Sequence, residues 1–116
     1  MPRLTEELLP QLAPADFLYL TTIGRVSGEP RTVELWFVVF EGKLYAVSGA
    51  PSRAHWVQNL IKNAKVGVRI DEYIAEAEAR VVDRSEQPLW DTVCRMACEK
   101  YDEPEPWGTP VEISLI

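Results

Sequence analysis

Histidine and cysteine, which often carry nucleophilic or metal chemistry, are scarce in this sequence. It contains one histidine, His55, and two cysteines, Cys94 and Cys98. A single histidine with no serine or cysteine motif beside it gives no basis for a hydrolase triad. The cysteines are four residues apart in a predicted helix, whereas a redox pair usually has two intervening residues and zinc would need two further ligands. We therefore predict buried, inert thiols and no metal site.

The sequence also lacks long apolar runs. Its longest apolar stretches, such as residues 35–40, are far too short to span a bilayer. The first seven residues do not have the basic-then-apolar layout of a signal peptide. We expect a cytoplasmic protein with no membrane partner.

Positive charge is limited and unevenly placed. The chain has 12 lysines and arginines against 18 acidic residues, a formal net charge of −6. Residues 21–70 nevertheless hold seven basic and three acidic side chains, whereas residues 71–116 hold four basic and twelve acidic ones. Such a balance argues against nucleic-acid binding, but the basic segment is suited to holding one small anion. Chance clustering is the plain alternative.

The length predicts a single domain, residues 1–116, with a composition ordinary for a soluble protein. A domain of this size buries a core but has little interior left for a ligand. A deep pocket would lie more readily between subunits than inside one, so we expect an oligomer.

Apolar periodicity predicts a mainly β, α+β fold. Residues 73–83 alternate at a period of two, which favours a strand although alanine and glutamate favour helices. Residues 31–40 become apolar on both faces, which suggests a closed barrel. We predict a six-stranded antiparallel split β-barrel with flanking helices. The predicted strands are 16–23, 31–40, 44–48, 65–70, 73–83 and 111–116, and the predicted helices are 4–12, 52–63 and 85–101.

The connection between the first two predicted strands carries two arginines around a Gly/Ser/Pro loop, in the sequence TTIGRVSGEPRT at 21–32. Glycines permit positive φ and expose N–H groups, while Pro30 fixes the exit from the loop. Arg25 and Arg31 can therefore converge on one phosphate. An ordinary hairpin whose arginines only keep it soluble fits this segment equally well.

Several short motifs between residues 18 and 70 carry a family resemblance. They are LTT at 20–22, GR at 24–25, SG at 27–28, PR at 30–31, LWFV at 35–38, SG at 48–49, RAHW at 53–56, NL at 59–60 and Asn63. In these motifs the chain resembles the deazaflavin-dependent nitroreductase family. That family is part of the split β-barrel superfamily, which also contains FMN-binding, pyridoxamine phosphate oxidase-like proteins. The resemblance implies a homodimer with a flavin-type cofactor, F420 or FMN, in a groove between the subunits.

The resemblance also implies cofactor-binding residues. Side chains from the loop would contact the phosphate or tail, and backbone N–H groups at the end of the third predicted strand would reach the same anion. The helix that follows would add charge and border the ring. The implied residues are Arg25, Ser27 and Arg31 in the loop, Ser48, Gly49 and Ala50 at the strand end, Arg53, Trp56 and Asn59 at the helix, and Trp36 in the groove wall.

Two departures from the family pattern affect the cofactor. Many relatives have a second cation directly after the loop arginine and a lysine just after the third strand, where this chain has Val26 and the stretch 49–52. Fewer cations suit the polyglutamylated tail of F420 less well. FMN, with a single phosphate, therefore remains a competitor.

The function implied is that of an oxidoreductase that passes a hydride from F420 or FMN to a small acceptor such as a quinone or a nitro compound. The cofactor carries the redox chemistry, so we assign no catalytic acid or base, and solvent can supply a proton. Two alternatives remain open. One is a flavin- or haem-binding module without turnover, and the other is a purely structural homodimer.

Overall fold

The alternating pattern of the sequence folds into one continuous antiparallel sheet. The computed structural model describes residues 2–49, 54–106 and 108–116, and within them the sheet has seven strands in the order β2-β1-β5-β6-β7-β4-β3. The strands are β1 (Leu18–Ile23), β2 (Pro30–Leu35), β3 (Phe37–Phe40), β4 (Lys43–Ser48), β5 (Lys65–Ile70), β6 (Tyr73–Val81) and β7 (Thr109–Leu115). The helices are α1 (Leu9–Leu12), preceded by a 3-10 turn over Glu6–Leu8, α2 (His55–Lys62) and α3 (Leu89–Lys100). The predicted fold class is confirmed.

The prediction of six strands was wrong, because the predicted strand 31–40 is divided at Trp36. Its first part, β2, pairs with β1, and its second part, β3, pairs with β4. These two parts are the opposite edges of the sheet, yet a single residue joins them. The sheet must therefore curl until its edges meet, as in a split barrel.

The same division explains why both faces of residues 31–40 are apolar. Phe37 is fully buried in the core inside the curled sheet, where Trp56, Val57 and Leu60 of α2 also lie. Val38 points the other way, into a second cluster between β3, β4 and α3. Successive side chains of β3 therefore pack into two different apolar clusters, one on each face of the strand.

Helix α3 begins at Leu89, four residues later than predicted. A residue that precedes proline is disfavoured in the α region, and Pro88 places this restriction on Gln87. Residues before it form a turn instead, in which Asp83 Oδ1 accepts hydrogen bonds from the Ser85 backbone N–H and hydroxyl group. Among the described residues, no helix is long and apolar enough to cross a membrane.

The two cysteines are free thiols on α3. Cys94 is buried, and this burial raises the pKa of its thiol. Cys98 is partly exposed, and its Sγ lies 2.9 Å from the carbonyl oxygen of Glu103. No group of three or more potential metal ligands occurs in the described part of the chain.

A buried carboxylate, Glu112, ties β7 to its neighbours. The Arg80 guanidinium donates to both of its oxygens, at 3.1 and 3.2 Å. Lys43 Nζ and the Tyr45 hydroxyl donate to it at 3.3 and 3.0 Å. Arg80 also forms a bidentate pair with Glu86, at 2.8 and 2.9 Å, so the cluster extends from the sheet to the turn before α3.

Acidification is expected to destabilise the fold through this cluster. The Arg80 guanidinium and the Asp83 N–H lower the pKa of Glu86 to about 2. Burial alone would raise the pKa of Glu112, but its hydrogen bonds lower it. A carboxyl group whose pKa is lower in the folded state stabilises the fold above its unfolded pKa and loses that effect as pH falls.

The urea midpoint should therefore be steady near neutral pH and fall as the pH is lowered from about 4.5 toward about 2. Urea unfolding at a series of pH values measures this dependence. The Glu86→Gln variant is the control, because it should show a smaller loss across the same range. An identical pH dependence in both proteins would contradict the assignment to Glu86.

Candidate anion-binding site

The loop between β1 and β2 is closed by its own backbone. Gly24 N–H donates to the Glu29 carbonyl oxygen at 2.8 Å, and Gly28 N–H donates to the Gly24 carbonyl oxygen at 2.9 Å. Gly28 has a φ of 75°, which disfavours other residues. A Cβ at Gly24 would lie 2.7 Å from Ser27 Oγ, an atom that already accepts from Glu29 N–H. The glycines therefore set the shape of a tight loop.

Arg25 attaches this loop to the first two turns of α2. Its backbone N–H and its Nη1 both donate to Asn59 Oδ1, at 3.1 and 2.9 Å. Its Nη2 lies 3.3 Å from His55 Nδ1, which accepts when that nitrogen carries no proton. Lys62 Nζ donates to the Arg25 carbonyl oxygen at 3.3 Å. The loop arginine is therefore fixed to the helix rather than extended into solvent.

Arg31 faces the same space from the adjacent strand. It pairs with Thr22 in the β1–β2 register, which places it on the sheet face of Val33 and Leu35. Its Nη2 is 3.7 Å from Glu29 Oε2, and both side chains are mostly exposed, at 62% and 70%. Such an exposed pair contributes little stability. The guanidinium can therefore turn to a ligand at small cost.

A cavity of about 520 Å³ lies where the loop, β2 and the start of α2 meet. Two guanidinium groups converge on it, and the first-turn N–H groups of α2 add the partial positive charge of a helix N-terminus. The cavity therefore favours an anion. Its lining is formed by Gly24, Arg25, Val26, Ser27, Arg31, Thr32, Val33, His55, Trp56 and Asn59.

Five of the ten residues named from the sequence line this cavity: Arg25, Ser27, Arg31, Trp56 and Asn59. Ser48 is the last residue of β4 and pairs with Thr109 of β7, and Gly49 follows the strand. Ala50 and Arg53 lie outside the described residues. The loop and helix residues of the prediction therefore line one cavity.

Trp36 packs against the end of α3. Its ring stacks on Tyr101 with centroids 4.3 Å apart and planes 3° from parallel. The Tyr101 hydroxyl accepts from Phe37 N–H at 2.9 Å and lies 2.8 Å from the Asp16 carbonyl oxygen, to which it donates. Lys100 Nζ lies 3.8 Å from the centre of the Phe37 ring, and burial lowers its pKa to about 8. Trp36 thus has a packing role at the division between β2 and β3.

Five residues of the cavity lining were not assigned to the site from the sequence: Gly24, Val26, Thr32, Val33 and His55. Among these five, His55 has a side chain that contacts the loop arginine. The sequence indicated only a surface or capping histidine at the start of a helix. Its contact with Arg25 joins residues 30 positions apart, and no local pattern predicts such a pair. The one feature of the sequence that could have indicated His55 is its position at the start of a predicted helix, where anions are favoured.

A larger cavity, of about 780 Å³, lies on the opposite face of β1 and β5. Its charges are mixed, with Arg3 and Arg69 beside Glu76. The Arg69 guanidinium already covers the Tyr19 ring at 4.3 Å. Despite its smaller size, the loop cavity is therefore the better anion site, because its arginines converge with a helix N-terminus.

The curled sheet defines a split-barrel protein, and its arginine-bearing loop lines a cavity between β1, β2 and α2. The chain belongs to the F420H2-dependent quinone reductase family, whose model matches residues 3–113. This finding confirms the resemblance seen in the motifs. The family is one of oxidoreductases that depend on F420.

Solved structures show the same fold. An F420-H2-dependent reductase, FDR-A, is 28% identical, with a TM-score of 0.62 over 84% of this chain and 92% of that one. A protein solved as a domain-swapped dimer is 26% identical, with a TM-score of 0.63 over 84% and 78%. The haem storage protein HutZ from Vibrio cholerae is 18% identical, with a TM-score of 0.75 over 98% and 91%. At that identity HutZ shows the shared fold alone.

Proposed function

We propose that this protein binds F420 or FMN through its loop cavity and transfers a hydride to a small acceptor such as a quinone or a nitro compound. The convergence of Arg25 and Arg31 with the start of α2 carries this proposal. Membership of the F420H2-dependent family supports F420 as the first candidate. We further propose that the protein acts in the cytoplasm.

The donors around the cavity fit a phosphate group. A guanidinium carries five N–H donors, and among the described residues those of Arg25 bond only to Asn59 and His55. Three groups of donors are available to phosphate oxygens. They are the unused N–H groups of Arg25, the guanidinium N–H groups of Arg31 and the first-turn N–H groups of α2. Ser27 and Trp56 complete the wall. A phosphate-bearing cofactor therefore matches the charge and the hydrogen-bonding capacity of this site.

The protein's own part in the reaction is to bind and orient. A flavin-type cofactor held here would supply the hydride, and solvent would supply the proton that the acceptor also needs. Arg25 and Arg31 hold the anionic end, while buried Trp56 excludes water from one wall. Specificity for a particular cofactor tail would depend on cations around the loop. Val26, at the loop tip, is 92% exposed and adds none.

We also propose that the working form is a homodimer with the cofactor groove at its interface. The cavity is open to solvent rather than enclosed by this chain. The relative solved as a domain-swapped dimer supports self-association in this fold. A second subunit would complete the wall that this chain leaves open.

Cofactor titration tests the proposal. Purified protein is titrated with FMN and with reduced F420, and binding is followed by cofactor fluorescence. We expect at least one Kd below about 100 μM, roughly −5.5 kcal/mol. Protein loaded with reduced F420, or with FMN that has been chemically reduced by dithionite, should then reduce a model quinone such as menadione.

The outcomes separate the open alternatives. Tight binding without quinone or nitro reduction would identify a non-catalytic flavin-binding module, and haem is titrated in parallel for the same reason. Failure of F420, FMN and haem to bind would leave the structural homodimer. Size-exclusion chromatography with light scattering determines the oligomeric state.

A further inference from the structure

Asn59 uses every polar atom of its side chain within the protein. It is 3% exposed, and its Oδ1 accepts both hydrogen bonds from Arg25. Its Nδ2 donates to Thr22 Oγ1 at 3.2 Å. If the amide were turned round, Nδ2 would face the two N–H donors of Arg25, and donor would meet donor. The hydrogen bonds therefore assign Oδ1 to the side of Arg25 and Nδ2 to the side of Thr22. The Asn59 amide is therefore a bridge between β1 and the loop arginine.

Thr22 supports this bridge from a position that no ligand can reach. It is fully buried in β1, whereas Arg25 lines the cavity. Its hydroxyl is the acceptor for the Asn59 amide, so removing it leaves a buried N–H group without a partner. Thr22 is also the β-sheet partner of Arg31, but its hydroxyl group is linked to the cavity through Asn59 and Arg25.

We propose that Thr22 and Asn59 are positioning residues, which fix the Arg25 guanidinium before an anion arrives. This inference rests on the proposed function only in that the ligand is anionic. A preorganised arginine loses less side-chain freedom on binding, so affinity depends on Thr22, a buried residue that does not touch the ligand. The contact from Arg25 to Asn59 involves both backbone and side chain, which fixes the loop and the guanidinium together.

Two substitutions at Thr22 separate positioning from simple packing. Thr22→Val keeps the shape but removes the hydroxyl group, whereas Thr22→Ser keeps the hydroxyl group but removes a methyl group. We expect Thr22→Val to raise the Kd for FMN about tenfold and Thr22→Ser to change it less than twofold. In a background of Arg25→Ala, Thr22→Val should have less than a twofold effect, because the residue on which it acts is absent.

Hydrogen exchange of the Arg25 backbone amide provides a measurement without any cofactor. That amide bonds to Asn59 Oδ1. Thr22→Val should accelerate its exchange about tenfold, while Thr22→Ser should leave it close to wild type. The matched control is Thr92→Val on α3, which packs against β3, β4 and β7 and contributes no residue to the cavity lining described. This control should alter neither measurement.

The two measurements distinguish failure of this inference from failure of the proposed function. If the wild type binds no flavin-type cofactor, the proposed function fails, and amide exchange alone decides the positioning role. Equal exchange rates in Thr22→Val and wild type would overturn it. The positioning role would also be overturned if Thr22→Ser raised the Kd as much as Thr22→Val does. A third contradicting result would be an equal effect of Thr22→Val on the Kd in the wild-type and Arg25→Ala backgrounds.

Discussion

Replacing both Arg25 and Arg31 by alanine is expected to weaken cofactor binding about a thousandfold. A hydrogen bond to a charged group contributes about 1.5 to 3 kcal/mol, so two of them give about 4 kcal/mol. Arg31→Ala alone should cost about 1.5 to 3 kcal/mol. The measurement is the Kd for FMN or reduced F420 by fluorescence titration.

A charge-matched control is needed because any lost cation weakens anion binding through the general field. Lys65 provides it, since it begins β5, is exposed and is not among the cavity-lining residues described. Lys65→Ala should change the Kd less than threefold. If the double arginine variant bound the cofactor within threefold of wild type, the anion would have to lie elsewhere.

The second large effect is expected from Gly108→Ala. Gly108 has a φ of 85°, and a Cβ there would overlap Val47 Cγ1 and lie 2.9 Å from the Ser48 carbonyl oxygen. Val47 is buried, so it has little room to move. The left-handed backbone costs alanine about 1 kcal/mol and overpacking adds about 2, which lowers the free energy of unfolding by about 3 kcal/mol.

Gly28→Ala is the matched control for this prediction. Gly28 has a φ of 75°, but no described atom lies within 4 Å of the position its Cβ would take. The free energy of unfolding of Gly28→Ala should fall only by the cost of the left-handed backbone, about 1 kcal/mol. Urea denaturation of both variants measures the difference. Equal losses of unfolding free energy in the two variants would show that crowding against β4 does not destabilise Gly108→Ala.

Local features of the sequence predicted most individual elements. The alternation along β6 outweighed the helix propensity of its alanines and glutamates, and Ala77 and Ala79 are buried in the core. The turn between β3 and β4 lies at Glu41 and Gly42, and both residues have positive φ, at 49° and 75°, as a short hairpin turn with glycine requires. Such features depend on neighbours in the chain, which is why the sequence alone reveals them.

One error arose where the fate of a segment depends on distant partners, and the other arose at a proline, through a local restriction. Residues 31–40 look like one strand because their alternation continues through Trp36. Only pairing with β1 on one side and β4 on the other divides them. The start of α3 was misplaced because the helix pattern extends past Pro88, although the backbone restriction at that proline forms a turn.

The sequence by itself determined the fold class, the family and the loop that carries Arg25 and Arg31, because periodicity, glycine positions and short motifs are local properties of the chain. Only the tertiary structure decided how that loop is held. The bonds from Arg25 and Thr22 to Asn59 span 34 and 37 residues, and each depends on α2 packing against β1. Hydrogen bonds between distant residues form only after the sheet curls and the helix docks, so no spacing in the sequence predicts them.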